Sequence, residues 1–189
     1  AMMPVGIHMC YTMTTGLQTH LMNDAFQPPI SAEKYGILNS AVSWFNLVAP
    51  FRAGLLVDRQ GSQFVGILAA TIGLLGQLLF ALGIHSHIFS IAVLGRCVFG
   101  IGEGAVMVAQ GAAIAKWFRG AELTFAIAIA EMLHSIANWS GKAVVVLGIE
   151  LGGWRVAIWI CAFFCVLGIL AAFVFARLEQ RHMMKRIGR

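Results

Sequence analysis

The chain has 189 residues, of which 59% are hydrophobic and only 11% are charged, and its formal net charge is +5. A soluble domain carries about 25% charged residues, so this composition excludes an ordinary soluble domain and favours a lipid bilayer as the surrounding solvent. The positive charge does not indicate a nucleic-acid partner, because the basic residues mostly lie in short connections between apolar runs and in the last segment.

Six apolar runs are each long enough to cross a bilayer, which takes roughly 20 residues of helix. They cover residues 2–21, 35–57, 63–84, 88–112, 123–147 and 154–176. The connections are short except for 22–34, which contains Pro28-Pro29 and predicts a surface loop. We therefore predict an all-α integral membrane fold, with a six-helix bundle at 1–176 and a basic segment at 177–189 that leads to a second half.

The lysine and arginine residues lie mostly on one predicted side of the membrane. Nine of the 13 fall on that side, and they are Arg52, Arg59, Lys116, Arg119, Arg177, Arg181, Lys185, Arg186 and Arg189. Cytosolic loops are enriched in Lys and Arg. This asymmetry predicts that both termini are cytosolic, and the basic segment could also touch anionic membrane lipid.

Four of the predicted helices carry a stripe of polar residues, since residues three, four, seven or eleven apart share a helix face. The stripes contain His8, Tyr11, Thr12, Thr15 and Thr19 in the first helix, Asn39, Ser43, Asn46 and Pro50 in the second, Arg96, Gly100, Glu103, Met107 and Gln110 in the fourth, and Glu131, His134, Asn138 and Lys142 in the fifth. The stripes fit a shared aqueous cavity or, equally for the first two helices, hydrogen bonds between helices. The third and sixth helices are largely apolar and are expected to lie outside, against lipid.

Two of these polar residues are acids near the centres of their predicted spans, Glu103 and Glu131. An ionised side chain at the bilayer centre costs about 2.5–3.5 kcal/mol on insertion scales. Hydroxyl-type contacts between helices do not explain such a cost. A functional role is therefore favoured over the structural alternatives, which are an ion pair of Glu103 with Arg96 or of Glu131 with His134.

The cysteines and histidines do not form an evident metal or cofactor site. Cys10, Cys97, Cys161 and Cys165 are dispersed in apolar runs, and we expect packing thiols rather than a disulfide or metal ligands. His8, His20 and His134 do not have the facing arrangement that a haem between helices needs. Because no nucleophile–base set stands out either, we expect no enzyme, no cofactor and no metal ion.

The stretch Gly54-x-Leu56-x-Asp58-Arg59-x-Gly61 resembles the signature loop between helices two and three of the major facilitator superfamily. "GRCVFGIGEG", "AKWF" and "GGWRVAIWI" match that family's fourth helix, its cytosolic exit and the entry to its sixth helix. The resemblance implies the amino-terminal bundle of a two-bundle transporter. It implies gating roles for Gly54, Asp58, Arg59, Gly61 and Arg96, with the acid latching the two halves on the cytosolic side.

Physical roles can be assigned to this loop. Gly54 is expected to let its helix approach a neighbour closely, and Gly61 to permit a tight turn. Asp58 can accept hydrogen bonds from backbone donors at a helix N-terminus or pair with a cation. The loop departs from the family pattern after the second glycine, where Ser62 and Gln63 replace the usual basic residue.

Within the superfamily, residues 95–130 look most like the lysosomal dipeptide transporters, with R-x-V-F-G-I-G, V-A-Q and W-F-[RK]-G-x-E-L in order. That branch is similar to a uniporter that grips the charged ends of a dipeptide with an acid in helix four and a base in helix five. The resemblance places the acid where this chain has Gly104, and Glu103 stands one position earlier. The expected base falls near Leu133, which leaves His134 as the nearest candidate. An endolysosomal membrane is accordingly favoured over the plasma membrane.

The resemblance implies secondary active or facilitative transport of a small polar or zwitterionic solute, with a dipeptide or amino-acid-like solute favoured, by alternating access. The expected substrate-binding residues are His8, Tyr11, Thr15, Asn46, Glu103, Glu131 and His134. The second six-helix half would come from the same chain or another copy. The alternative is a non-transporting membrane subunit or receptor that keeps the fold and binds a lipid or a partner protein, with its acids paired inside the bundle.

Overall fold

The computed structural model describes residues 5–26 and 29–187, and all regular elements in this part of the chain are helices. They are α1 (Val5–Tyr11), α2 (Met13–Gly16), α3 (Gln18–Asn23), α4 (Ala32–Gln60), α5 (Ser62–His85), α6 (Phe89–Trp117), α7 (Ala121–Gly152) and α8 (Trp154–Ile187). The predicted all-α class agrees with this description.

Four helices are both long enough and apolar enough to cross a membrane, namely α4, α5, α6 and the part of α8 from Trp154 to Val174. They coincide with four of the six predicted spans. Helix α7 has 32 residues, about 48 Å at 1.5 Å per residue, which is ample length for a crossing. It carries polar residues, which include Glu131 and Lys142, and it is not among the four helices that combine length and apolar composition.

The first predicted span is not the single continuous helix expected from its sequence. Between Val5 and Asn23 the chain forms α1, α2 and α3, with interruptions at Thr12 (φ −84°, ψ −1°) and Leu17 (φ −96°, ψ 6°). Threonines and a glycine crowd this stretch, and both residue types disfavour a regular helix. Helix-type backbone hydrogen bonds, for example from Leu17 N to Met13 O (3.0 Å), continue across these interruptions.

The connection between α4 and α5 is a single-residue turn at Gly61. Helix α4 begins after Ser31, whose side chain accepts a hydrogen bond from Lys34 N (3.4 Å), and it ends where Gly61 adopts φ +86°. A residue with a side chain rarely adopts this φ, so the turn needs glycine. The predicted tight turn at Gly61 is confirmed.

Helix α6 packs extensively against both α4 and α5. A Cβ atom at Gly100 would overlap the backbone of Val42 in α4, and a Cβ at Gly95 would overlap the backbone of Phe80 in α5. These glycines allow the helix backbones to touch. On the other side of the bundle α1 packs against α7 and α8, and a Cβ at Gly141 in α7 would overlap the backbone of Met9.

Helix α5, the predicted third span, is not surrounded by lipid on all sides. One face is buried against α6 and includes the fully buried Gln77, whereas Phe64, Leu75 and Leu82 on the opposite face are exposed. The buried core between these helices also contains polar side chains. They are His8, Thr14, Gln77, Arg96 and Glu103.

Candidate functional site

Three of the predicted substrate-binding residues meet around one buried carboxylate. Glu103 in α6 is 3% exposed and accepts a hydrogen bond at Oε2 from Asn46 Nδ2 of α4 (3.2 Å). His8 in α1 is fully buried, and its Nδ1 lies 3.6 Å from Glu103 Oε1. Helices distant in sequence thus bring an acid, an amide and an imidazole together.

A fourth predicted residue, His134 of α7, lies against His8. The two ring centroids are 3.7 Å apart, and the ring planes are inclined by 37°. Within the described part of the chain, neither ring nitrogen of His8 has a hydrogen-bond partner, nor does the buried Nδ1 of His134. We call Glu103, Asn46, His8 and His134 the acid–histidine cluster.

Glu131, the second acid, does not join the acid–histidine cluster. It is exposed on α7, one helical turn before His134, and forms no salt bridge with that histidine. The ion pair of Glu103 with Arg96, which was the structural alternative for the first acid, is also absent, since neither side chain has the other as a partner. Both structural pairings considered for the acids are therefore wrong for the described residues.

Arg96 instead forms a separate buried site between α6 and the first span. It is 1% exposed, and its Nη2 donates to Tyr11 O (3.2 Å) and Thr14 Oγ1 (3.3 Å). The guanidinium carbon lies 5.4 Å from the ring centroid of Phe80 and 5.2 Å from that of Phe99. Cation–π contacts of this kind stabilise a desolvated cation.

Sequence reasoning missed Thr14, which links Arg96 to α4. Its hydroxyl donates to Asn39 Oδ1 (3.1 Å), and its backbone carbonyl accepts from the Tyr35 hydroxyl (3.2 Å). Thr15, predicted to bind substrate, is exposed. Tyr11 is half-buried and contributes its carbonyl to Arg96. With the helix break at Thr12, Thr14 rather than Thr15 is buried. The spacing of a continuous helix does not predict this difference.

The sequence profile described as Major Facilitator Superfamily matches residues 5–188. The chain belongs to this superfamily. The predicted resemblance is therefore confirmed over nearly the whole chain, and the apolar helices fit the integral membrane proteins of such a family.

The curated relatives of this superfamily member are transporters. It is 30% identical over 190 residues to the lysosomal dipeptide transporter MFSD1 of Mus musculus, covering 93% of this chain and 40% of the relative. The Homo sapiens protein of the same name is 28% identical over 194 residues, with the same coverages. The probable anion transporter 4, chloroplastic, of Arabidopsis thaliana is 26% identical over 118 residues, covering 62% of this chain and 22% of that protein. The chain thus spans about two fifths of the MFSD1 relatives' length.

The superfamily's signature loop lies at the end of α4, and its charged side chains are exposed. Asp58 and Arg59 are exposed, and neither has a hydrogen-bond or salt-bridge partner among the side chains the structure describes. A Cβ atom at Gly54 would meet nothing within 4 Å. The expectation that Gly54 permits close packing is therefore wrong within this bundle.

Packing explains why the acid of this superfamily member stands at position 103. A Cβ atom at Gly104 would lie 2.5 Å from Asn46 Oδ1 and 3.2 Å from Pro50 Cδ, so α4 leaves no room for a larger residue. Moving one position along a helix turns the side chain by about 100°. Glu103 instead points toward Asn46 Nδ2 and His8, whereas a side chain at position 104 would meet the side chains of Asn46, Ala49 and Pro50.

The four cysteines are free thiols, and three of them, which are dispersed in the sequence, lie close together in space. Cys10 Sγ donates to Cys161 O (3.0 Å), and Cys165 Sγ lies 3.1 Å from Cys10 Sγ. They fill the contact between α1 and α8, a packing role that suits a polarisable side chain.

Two apolar grooves lie on the described part of the bundle, and none of the four residues of the acid–histidine cluster lines either of them. One, of about 310 Å³, runs along α4 and α5 and includes Arg52 in its lining. The other, of about 410 Å³, lies between α1, α7 and α8. Neither is lined by Glu103 or Glu131.

Proposed function

We propose that residues 1–176 form the amino-terminal six-helix bundle of a transporter that moves a small polar or zwitterionic solute, with a dipeptide favoured, by alternating access. The observation that carries the proposal is the acid–histidine cluster, which places a carboxylate and two imidazoles inside the bundle of a chain from a transporter superfamily. Segment 177–189 would lead to a second six-helix half, and the length of the MFSD1 relatives supports this arrangement.

The solute would be held where the acid–histidine cluster meets the exposed surface of α7. A dipeptide carries an ammonium group and a carboxylate at its two ends. Glu131 is exposed near the middle of α7 and can pair with the ammonium group, and His134 on the same side can donate to the carboxylate. An acid exposed at mid-span needs such a role, because lipid tails would not solvate it. Glu103, Asn46 and His8 would fix His134 from behind.

The alternative proposal is a non-transporting subunit or receptor, and one observation favours it. Glu103 is 3% exposed and already has Asn46 and His8 beside it, as expected for an acid that only holds helices together. The two proposals differ at Glu131, because a purely structural bundle has no use for an exposed acid at that depth.

Solute counterflow in proteoliposomes tests the transport proposal. The full-length native protein is reconstituted, loaded with an unlabelled dipeptide and assayed for uptake of the labelled dipeptide. We expect Glu131→Gln and Glu103→Gln each to lose most of the exchange. Glu150→Gln, on the exposed end of α7, is the matched control and should exchange like the wild type. Unchanged exchange by both test variants would remove the proposed site, and a folded wild type that exchanges no solute would favour the receptor.

The proposed location is an endolysosomal membrane, with both termini in the cytosol. The asymmetry of lysine and arginine supports the orientation, and the name of the MFSD1 relatives supports the organelle. Epitope tags at each end should be stained after selective permeabilisation of the plasma membrane. Staining that requires detergent permeabilisation of the organelle would contradict the orientation.

A further inference from the structure

Three of the four cysteines form a buried thiol cluster where α1 packs against α8, and its members are Cys10, Cys161 and Cys165. Cys10 is fully buried, and Cys161 and Cys165 are 2% and 1% exposed. Cys161 and Cys165 lie one helical turn apart on α8, so both face the same neighbouring helix. The proposed transport function uses none of these thiols, although thiols in contact can be oxidised to a disulfide.

The hydrogen bonds of the thiol cluster orient one sulfur toward another. Cys10 Sγ donates to the backbone oxygen of Cys161 (3.0 Å), so its proton is directed away from Cys165. Cys165 Sγ in turn donates to Cys10 Sγ at 3.1 Å. A lone pair of the Cys10 sulfur therefore faces Cys165. This is the arrangement in which one thiol can attack a neighbouring sulfur to form a disulfide.

The backbones of α1 and α8 are close enough to favour a covalent link between the two helices. A Cβ atom at Gly6, one turn before Cys10, would overlap the backbone of Phe164, which directly precedes Cys165. Contacting backbones favour a disulfide because the bond requires Cα atoms only about 4.4–6.8 Å apart. The two sulfurs would approach by roughly 1 Å, from 3.1 Å to the bond length of about 2.05 Å.

An apolar groove gives an uncharged oxidant access to this helix contact. The groove of about 410 Å³ between α1, α7 and α8 has Gly6, Met9 and Phe164 in its lining. Cys165 Sγ lies 3.9 Å from Gly6 O, so this thiol is next to the groove wall. The apolar lining suits an uncharged hydroperoxide, whereas a charged oxidant such as oxidised glutathione would lose its hydration there.

We propose that Cys10 and Cys165 form a modification site at which a hydroperoxide converts two thiols into a disulfide between α1 and α8. First, Cys165 Sγ attacks the terminal oxygen of the hydroperoxide and becomes a sulfenic acid, while the O–O bond breaks and the thiol proton leaves with the alcohol or, from hydrogen peroxide, with water. Cys10 Sγ then attacks Cys165 Sγ, so the S–S bond forms, the S–O bond breaks and water leaves. The two thiols lose two electrons, which reduce the peroxide bond. The first step is expected to be the slower one, because the thiolate is the reactive form and apolar surroundings disfavour a charge.

Peptide mass spectrometry of the oxidised full-length native protein tests the proposal. The protein in its membrane is treated with hydrogen peroxide or with cumene hydroperoxide, free thiols are blocked with a maleimide, and the digest is analysed without reduction. We expect a disulfide between Cys10 and Cys165, which dithiothreitol should remove. Linkage by either reagent supports the proposal, and the faster reagent identifies whether the oxidant arrives from water or from the bilayer. Absence of linkage with both reagents, or fragment ions that place the bond between Cys10 and Cys161, would overturn it.

Thermal unfolding of the same samples measures what the disulfide does to the bundle. The bond would join two positions 155 residues apart, and a cross-link that closes a long loop restricts the unfolded chain most. The oxidised wild type should therefore unfold about 5 °C or more above the reduced protein. Cys165→Ala and, as a second variant, Cys10→Ala should each lose this shift. Cys97→Ala, at a half-buried thiol of α6, is the matched control and should keep it. A shift of wild-type size in either test variant would show that another site causes it and would overturn the proposal.

Discussion

Two acids that the sequence places near the centres of predicted spans, Glu103 in α6 and Glu131 in α7, have different environments in the structure. Glu103 lies in what we call the α4–α6 seam, formed by Val42, Asn46, Gly100, Glu103 and Gly104, where glycines bring the two backbones into contact. Glu131 lies on the open face of α7, formed by the exposed residues Glu131, Ser135, Trp139 and Lys142. The same residue type is thus sealed in one helix and accessible in the other.

The difference shows that a stripe of polar residues does not by itself identify a solvent-exposed helix face. The neighbouring helices determine whether the stripe is exposed or buried. Helix α6 is packed by α4 on one side and α5 on another, so its stripe faces protein. Helix α7 packs mainly against α1 and α8, and few of its side chains are buried. The buried Glu103 thus contacts only groups of its own bundle, whereas the exposed Glu131 is available for contacts outside the bundle.

The largest effect is expected when the buried acid is moved one position along α6, from Glu103 to Gly104. Glu103→Gly combined with Gly104→Glu would drive a side chain into Asn46 and Pro50. Overpacking of this kind costs typically 1–3 kcal/mol, and we expect about 3 kcal/mol or more here because the added group is also charged. Thermal unfolding in detergent should show a strong loss of stability.

A matched control for this variant is Gly111→Glu, on the same helix at a position where a Cβ would meet nothing within 4 Å. It should leave the unfolding temperature nearly unchanged. A double variant as stable as the wild type would mean that α6 can rotate against α4, and the α4–α6 seam would then not fix the direction of the acid.

A smaller effect is expected from removing the hydrogen bond that satisfies the sealed acid. Asn46→Ala leaves Glu103 Oε2 without its donor at 3.2 Å, and an unsatisfied buried group costs about 1–3 kcal/mol. Ser43→Ala, exposed on the same helix, should change stability by less than about 0.5 kcal/mol. Equal unfolding temperatures for the two variants would indicate that water, not Asn46, satisfies the carboxylate.

Sequence reasoning found the superfamily and most of the helices because both depend on local signals. The run of apolar residues predicts α5 within two residues at each end, and the Gly61 turn follows from the loop motif. Each of the four stripes contributed one member to the acid–histidine cluster, namely His8, Asn46, Glu103 and His134. Helical spacing carries this information.

The rest depended on contacts between distant parts of the chain. The spacing of a continuous helix grouped Thr15 with His8, yet the break at Thr12 turns Thr14 inward to meet Arg96. Cys10 in α1 is more than 150 residues away in sequence from Cys161 and Cys165 in α8, yet it contacts both residues. Glu103 is buried because the glycines of the α4–α6 seam bring α4 close to α6. The sequence of a single helix does not contain that information.

The smallest effect on stability is expected at Gly54 in α4, where a Cβ would meet nothing within 4 Å. This position also distinguishes the behaviour of this bundle alone from that of the full-length protein. Gly54→Ala adds a methyl group to empty space, and alanine is about 1 kcal/mol more favourable than glycine in a helix interior. The variant of this 189-residue chain should therefore be slightly more stable in detergent, whereas Gly100→Ala, which strikes Val42, should be less stable. In the full-length protein, Gly54→Ala should slow solute counterflow if a second bundle closes onto this face, as the gating role of the signature loop implies. Wild-type counterflow by that variant would leave Gly54 without a gating role and would place the contact between the two halves elsewhere.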